Sequence, residues 1–262
     1  LVSNLISGVG GRTMGSRLEN LHLNSFIIGS VCFLDKFLSM PCVIGKSMLM
    51  RKSDLEAIGG FQTVKDVLAE DYIIGKKMHK RGKKVILSNH IIKNVNEYWS
   101  IKKFINRHTR WGRLRWKIGG IRYISELISN PVFMSFILLL LWEVSKMTVY
   151  FLLFVSLLKI IGDYYLGKMI GSCIRGQGST DRREEKYLDP LSLTFGPLYY
   201  LLSPVKDIII GLIWFVPILS NTVVWRGNRY VIGKDSVLSP YPESRIWAWR
   251  YRIVDTIKAR FA

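Results

Sequence analysis

The stretch CVIGKSMLMRKSDLEAIGG, residues 42–60, predicts a β-strand followed directly by an α-helix. Its first ten residues, 42–51, are typical of a half-buried strand, and Gly45 marks a place where another group approaches the backbone closely. Ser53 and Glu56 have the spacing of a capping box, and a glycine pair predicts the end of the helix. This order of elements indicates an α/β fold.

A second helix and strand follow in the same order. Residues 69–82, AEDYIIGKKMHKRG, have acids in the first turn and basic residues in the last, as the helix dipole favours. Residues 83–92, KKVILSNHII, predict the returning strand. Residues 1 to about 120 therefore have the pattern of half of an α/β domain.

Four apolar runs follow, at 131–142, 148–158 with an extension to about 166, 191–202 and 208–219. The polar WEVSK between the first two predicts the turn of a helical hairpin. Each run is short for a membrane span of about 20 residues, so we expect tilted, re-entrant or extended segments. The last two runs are split by SPVKD (203–207), whose charges are costly inside a bilayer, which predicts two short helices.

The basic residues are concentrated on the flanks of these runs. Lys and Arg number 38 against 19 Asp and Glu, a formal charge of +19, while 49% of the residues are hydrophobic. If the chain crosses in pairs, the basic segments 102–122, 175–186 and 225–260 all lie on the cytoplasmic side, as the positive-inside rule requires. Residues 245–261 predict an interfacial amphipathic helix.

These patterns divide the chain into three parts. Residues 1–120 belong to the α/β domain, 121–220 to transmembrane or re-entrant helices, and 221–262 to a basic amphipathic tail on the cytoplasmic side. We expect a multi-pass protein of a bacterial inner membrane, with anionic lipid head groups as partners of its basic segments.

Composition also argues against other classes of protein. A basic chain with interspersed aromatics suits a nucleic-acid binder, but the apolar runs have no role there and no recognition motif is present, so we expect no nucleic-acid partner. Cys32, Cys42 and Cys173 have no disulfide or metal spacing. The chain starts at Leu1 with no signal segment, and we expect a fragment of a longer protein.

Two motifs carry candidate chemistry. Glu70 and Asp71 form an acidic pair at a helix start, which by itself is commonly only a favourable helix terminus. The sequence RHTRW (107–111) follows some thirty-five residues later. Arg107 and Arg110, three residues apart, share a helix face and can bind phosphate oxygens bidentately.

Together these segments resemble the ceramide glucosyltransferase family and its bacterial relatives, including glycosyltransferases of hopanoid synthesis. The resemblance rests on CVIGKSMLMRKSDLEAIGGF, LAEDYIIGKKMHKRG and RHTRW, which match the family's ED and (Q/R)xxRW motifs, and on the later NTVVWRGNRYVIG. It implies the C-terminal half of a GT-A, Rossmann-like glycosyltransferase domain followed by interfacial and transmembrane helices.

The resemblance also implies roles for individual residues. Asp71 matches the catalytic base that takes the proton from the acceptor hydroxyl, with Glu70 beside it. Arg107, Arg110 and Trp111 match the motif that holds the diphosphate and walls the acceptor end of the pocket. The implied reaction is inverting transfer of a hexose from a UDP-sugar to the hydroxyl of a ceramide- or hopanoid-type membrane lipid.

Two further residues, Gly45 and Lys46, match a glycine-centred segment that lines the donor sugar pocket, although Lys46 could equally be solvated. The resemblance implies that the family's nucleotide-binding half, with a DxD element for a divalent metal, lies upstream of Leu1. Mg²⁺ or Mn²⁺ is therefore expected for the full-length enzyme, with ligands outside this chain and a metal site that cannot be assigned within it.

Other polar residues near the motif predict structural roles. Arg113, Arg115 and Trp116 favour anchoring to lipid head groups over site chemistry. The histidines show no ligand spacing, and His108, although inside the motif, occupies a variable position of it.

Two other functions stay open. A processive polysaccharide synthase shares the ED and RxxRW elements but needs enough long helices for a translocation channel. A non-catalytic membrane-surface protein would use the basic aromatic segments to bind anionic lipid.

Overall fold

The computed structural model describes residues 1–38, 40, 42–142, 144–178, 196–225 and 227–242. These residues form a mixed structure of helices and two small sheets. The interfacial helix predicted over 245–261 lies outside the described residues.

The first sheet has three strands in the order β2–β1–β3. The central strand, β1 (Val2–Val9), pairs in parallel with β3 (Ile86–Val95) and antiparallel with the short β2 (Met48–Leu49). Its apolar side chains are largely buried, and Leu5 belongs to a hydrophobic cluster with Ile28, Ile91 and Ile170. The strand predicted over residues 83–92 is confirmed in β3.

Two helices lie between β2 and β3, namely α3 (Lys52–Ala57) and α4 (Glu70–Lys80). The helix predicted over 69–82 is confirmed in α4, and Gly82 follows it with φ 73°, a conformation that glycine adopts without strain. Apolar residues of α3, α4 and the short 3₁₀ turn between them (Phe61–Val64) form one hydrophobic cluster.

Two predictions for residues 42–60 are wrong. Strand pairing is limited to Met48–Leu49, and Gly45 and Lys46 lie in a turn because the backbone there bonds to side chains rather than to a neighbouring strand. The N-cap of α3 is Arg51, without a side-chain cap, so Ser53 and Glu56 form no capping box.

The chain between β1 and β2 is helical over Met14–Leu38. It contains α1 (Met14–His22), a π-helical turn (Leu23–Ile27) and α2 (Ile28–Leu38). Gly15 lets α1 approach the segment before the next long helix, since a Cβ there would lie 2.4 Å from the carbonyl carbon of Ser100. This helix is therefore fixed against the RHTRW region.

The RHTRW motif lies on α5 (Ile101–Gly119), whose N-cap Ser100 accepts a hydrogen bond from the Lys103 amide at 3.1 Å. A 3₁₀ turn (Gly120–Tyr123) and α6 (Ile124–Ile128) continue it, and the chain then bends by 73° into α7 (Pro131–Leu141). Asn130 and Pro131 account for the new start, because Asn130 caps the helix and proline suits its first position.

The predicted helical hairpin is confirmed. The helix α7 packs against α8 (Lys146–Gly176), whose N-cap Ser145 and first residue Lys146 are the last two residues of the polar WEVSK segment. The C-terminal part of α8 returns to the first sheet, where Ile170 and Ile174 pack against Leu5, Ile28 and Ile91.

The prediction of a break at 203–207 is wrong. A 3₁₀ segment (Pro197–Leu202), α9 (Ser203–Trp214) and α10 (Val216–Leu219) form one helical stretch from Pro197 to Leu219. The charges that predicted the break are buried and paired instead.

Four charged side chains meet between α8 and α9. Lys206 Nζ lies 3.0 Å from Asp207 and 3.4 Å from Asp163, and Lys159 contacts both acids. Lys206 also donates to Ser25 Oγ at 2.8 Å, which extends the cluster to the helix of residues 14–38. Two cations and two anions neutralise each other, so a continuous helix becomes possible.

Among the described residues, three helices are long and apolar enough to cross a membrane: Met14–Leu38, Lys146–Gly176 and Pro197–Leu219. The bent pair Ile101–Ile128 and Pro131–Leu141 would make a fourth. The first of these lies in the part of the chain that the sequence pattern assigned to the α/β domain.

A second sheet follows the last helix. It is antiparallel and contains β4 (Thr222–Trp225), β5 (Asn228–Ile232) and β6 (Leu238–Pro240), with a 3₁₀ turn (Lys234–Ser236) before β6. The sequence pattern predicted only a basic tail here. The sheet region packs against α5 and against the loop before α4.

Candidate active site

The acidic pair is located where the prediction requires, in the first turn of α4. The loop before it is held by the second sheet region: Ser236 accepts a hydrogen bond from the Ala69 amide at 3.1 Å, and the Leu68 amide donates to the Ser236 carbonyl at 3.0 Å. This contact joins residues that are 167 positions apart in the sequence, and it fixes the start of the helix that carries the acids.

The two acids, Glu70 and Asp71, have different environments. Asp71 is half-buried, and its Oδ2 accepts a hydrogen bond from the Gly45 amide at 2.8 Å, while its Oδ1 accepts one from the Tyr72 amide at 2.7 Å. Glu70 is exposed and forms none of these contacts. Each carboxylate oxygen of Asp71 retains acceptor capacity, so it can also receive a hydroxyl proton.

The close approach predicted at Gly45 is confirmed, and Asp71 is the group that approaches. A Cβ at position 45 would lie 2.9 Å from Asp71 Oδ2 and 3.1 Å from its Cβ. Real Cβ atoms do not tolerate such contacts, so a side chain at position 45 would displace the carboxylate.

Lys46 begins a chain of polar contacts that leads away from Asp71. Its ammonium donates to Asn94, the Asn94 amide donates to Asn96 at 3.1 Å, and the Asn96 amide donates to Asn20 at 2.8 Å. Burial and the positive charge of Arg107 lower the pKa of Lys46, against the opposing charge of Glu19. Lys46 therefore lies within electrostatic reach of the RHTRW helix.

Arg107 is held on several sides. Its guanidinium lies 4.3 Å from the ring centre of Trp111 and 5.1 Å from that of Trp99, and its Nε lies 3.3 Å from Glu19 Oε1. Cation–π contacts and an ion pair together fix the position of this charge. The indole of Trp111 also contacts His108 edge-on, so the motif forms one aromatic and cationic cluster.

Arg110 differs from Arg107. It is half-buried, and within the described part of the chain it forms no ion pair or hydrogen bond. The two arginines, to which the motif gives the same role, therefore occupy different environments. Arg107 is fixed by its neighbours, whereas Arg110 is available to an anion.

Arg113 and Arg115, expected to contact lipid head groups, bind the protein. Arg113 Nε donates to the Ser220 carbonyl at 3.1 Å, and Arg115 pairs with Glu126 at 2.7 Å. Both arginines fix α5 to neighbouring segments. Because α5 is packed by other parts of the protein, its arginines find partners within the protein rather than among lipid head groups.

His108 is buried, as its structural interpretation predicts, and its Nε2 lies 2.8 Å from Glu19 Oε2. Behind it a small cavity of about 20 Å³ is lined by residues that include His22, Asn130 and Asp207. This volume is that of roughly one water molecule.

No metal site is evident in the described ranges, where no three His, Cys, Asp or Glu side chains come together in a way that could hold a metal ion. The ligands expected for Mg²⁺ or Mn²⁺ in the full-length enzyme lie outside this chain, so the divalent cation stays a prediction.

Four residues of these contacts carry no motif and were not predicted from the sequence: Glu19, Asn20, Asn94 and Asn96. Glu19 is fully buried. The available signal was that Glu19 is the one acid among residues 1–34, because a carboxylate that is buried in such a segment requires a cationic partner.

Comparison with known proteins identifies the family of this chain. Residues 1–238 match the model of glycosyl transferase family 21. The chain belongs to glycosyl transferase family 21. This confirms the predicted resemblance and makes the chain a member of a glycosyltransferase family.

Two relatives of this family 21 protein come from Caenorhabditis elegans. Ceramide glucosyltransferase 1 is 24% identical over 214 residues, which cover 80% of this chain and 40% of that protein. Ceramide glucosyltransferase 3 is 31% identical over 87 residues, which cover 33% of this chain and 19% of that protein. The chain therefore spans less than half of either relative. No solved structure matches it significantly.

Proposed function

We propose that the chain is the C-terminal part of a GT-A glycosyltransferase domain with its membrane helices, and that the complete protein transfers a hexose from a UDP-sugar to the hydroxyl of a membrane lipid. The names of the two relatives support a ceramide-type acceptor, and a hopanoid-type lipid is the alternative acceptor. The three candidate spans support a membrane location.

The observation that carries the proposal is the position of Asp71 at the Gly45–Lys46 turn, which a chain of asparagine contacts joins to α1, the helix whose Glu19 pairs with Arg107. A carboxylate, an ammonium and a guanidinium group are thereby connected through α1. Acceptor deprotonation needs the first of these, and the negative charge of a departing diphosphate needs the others.

In the proposed reaction, Asp71 accepts the proton of the lipid hydroxyl as that oxygen attacks the anomeric carbon. The bond from the anomeric carbon to the diphosphate oxygen breaks on the opposite face, so the anomeric configuration inverts. Arg110 is the better placed of the two motif arginines to meet the diphosphate, because Arg107 is already bound by Glu19 and the tryptophans.

Activity of the complete protein tests this proposal. Membranes containing it, incubated with a radiolabelled UDP-hexose and ceramide or a hopanoid, should form a glycolipid with inverted anomeric configuration. Transfer with retention, or labelled polysaccharide instead of glycolipid, would contradict the proposal.

A further inference from the structure

The carboxylate of Glu19 is buried against the helix that carries the arginine motif. It is 0% exposed, and both of its oxygens face α5: Oε1 lies 3.3 Å from Arg107 Nε, and Oε2 lies 2.8 Å from His108 Nε2. A carboxylate is costly to bury without partners, so this placement requires the contacts that it makes.

The next residue connects to the other part of the site. Asn20 accepts from Asn96, which leads through Asn94 to Lys46. The turn that contains Lys46 also contains Gly45, whose amide binds Asp71. Adjacent residues of α1 are thus joined to the helix of the arginine motif and to the turn beside the proposed base.

The position of α1 itself is well determined. Thr13 Oγ1 donates to the Trp99 carbonyl at 2.6 Å, and Ser16 Oγ donates to the Glu97 carbonyl at 2.8 Å. With Gly15 in close contact with the same segment, α1 cannot shift along α5 without breaking these bonds.

We propose that Glu19 is a positioning residue for the transfer reaction: it orients Arg107, and through Arg107 it sets the geometry of the RHTRW motif against Asp71. This inference rests on the proposed function. Glu19 touches neither donor nor acceptor in this account, and it acts through the arginine. Replacing Glu19 should therefore lower kcat/KM only in a protein that still contains Arg107.

A double-mutant cycle in the complete protein tests this dependence. Glu19→Gln keeps the size of the side chain and removes its charge, which frees Arg107 to move. We expect kcat/KM for the UDP-sugar to fall about 10²-fold, the effect of a displacement of about 1 Å at a reacting centre. Arg107→Gln should cause a loss of the same order.

The double variant distinguishes positioning from an independent role. If Glu19 acts through Arg107, the double variant should be no worse than Arg107→Gln, within about a factor of two. Losses that multiply, or normal kcat/KM in a folded Glu19→Gln protein, would overturn the inference. If Glu19→Gln does not fold, the same cycle is run with Glu19→Asp, which keeps the charge but cannot span both contacts.

Two controls complete the design. Glu56→Gln makes the same chemical change in an exposed acid whose partner is Lys52 at 3.7 Å, outside the site, and should leave kcat/KM unchanged. Asp71→Asn is measured in parallel. Full activity of Asp71→Asn would count against the proposed function itself, whereas an inactive Asp71→Asn beside a normal Glu19→Gln would count against this inference alone.

Discussion

At the scale of single residues, the contact between Gly45 and Asp71 determines how the proposed base is presented. The backbone amide can reach the carboxylate because position 45 has no side chain. The exposed turn leaves one side of the carboxylate open, while the helix behind it fixes the other side. A base held in this way keeps its orientation before an acceptor arrives.

Gly45→Ala should therefore lower turnover in the complete protein by about tenfold to a hundredfold, because the new methyl group must displace Asp71. Turnover and thermal midpoint, measured together, check this prediction. Gly119→Ala is the matched control, since a Cβ there meets nothing within 4 Å. Equal turnover for the two variants would show that the contact does not position the carboxylate.

The sequence indicates that something approaches Gly45, but it cannot name the partner, because Asp71 lies 26 residues away and on another element. The partner of Glu19 is still harder to predict from the sequence. Its partner His108 is 89 residues distant, and local patterns carry no information about such a pair.

At the scale of helices, the cluster of Lys159, Asp163, Lys206 and Asp207 explains why the helical stretch from Pro197 to Leu219 is continuous. Charged residues in an apolar run predict a break when each is considered alone, since burying an unpaired charge is costly. Lys159 and Asp163 lie one turn apart on α8, where Lys159 pairs with Asp207 and Asp163 pairs with Lys206 of α9. The fold thus depends on packing between helices that their separate sequences do not show.

Removing one member of this cluster should destabilise the protein strongly. Lys206→Met leaves Asp163 and Asp207 short of a cation, and loss of one partner of a buried ion pair costs about 3–5 kcal/mol. The thermal midpoint in detergent should fall accordingly. Lys168→Met, on the exposed face of α8, is the control and should change it little. An unchanged midpoint for Lys206→Met would mean that the cluster does not hold the helices together.

Elements whose pattern is local and periodic are predicted well. The helix α4, the strand β3 and the hairpin of α7 and α8 follow from dipole-matched charges, β-rich composition and long apolar runs. The strand predicted over 42–51 fails because side chains, not a neighbouring strand, bind its first half. The second sheet was missed because its short strands lie in a strongly basic segment.

At the scale of the whole chain, two distant regions support the proposed active site. The C-terminal sheet region holds the loop before Asp71 through Ser236, and the helix of residues 14–38 supplies Glu19 and Asn20. Membrane-type helices pack on that same helix, so the site is connected directly to the part of the chain that would meet a lipid. The boundaries predicted at 120/121 and 220/221 stay predictions.

The most direct test of the account is Asp71→Asn in the complete protein, beside Glu70→Gln. Asparagine keeps the size and one oxygen but cannot accept the proton, so turnover should fall on the order of 10² to 10⁴, while affinity for UDP changes by less than about tenfold. Glu70→Gln should remain active, because Glu70 is exposed and apart from the contacts of Asp71. Near-normal turnover in a well-folded Asp71→Asn protein would contradict the assignment of Asp71 as the base.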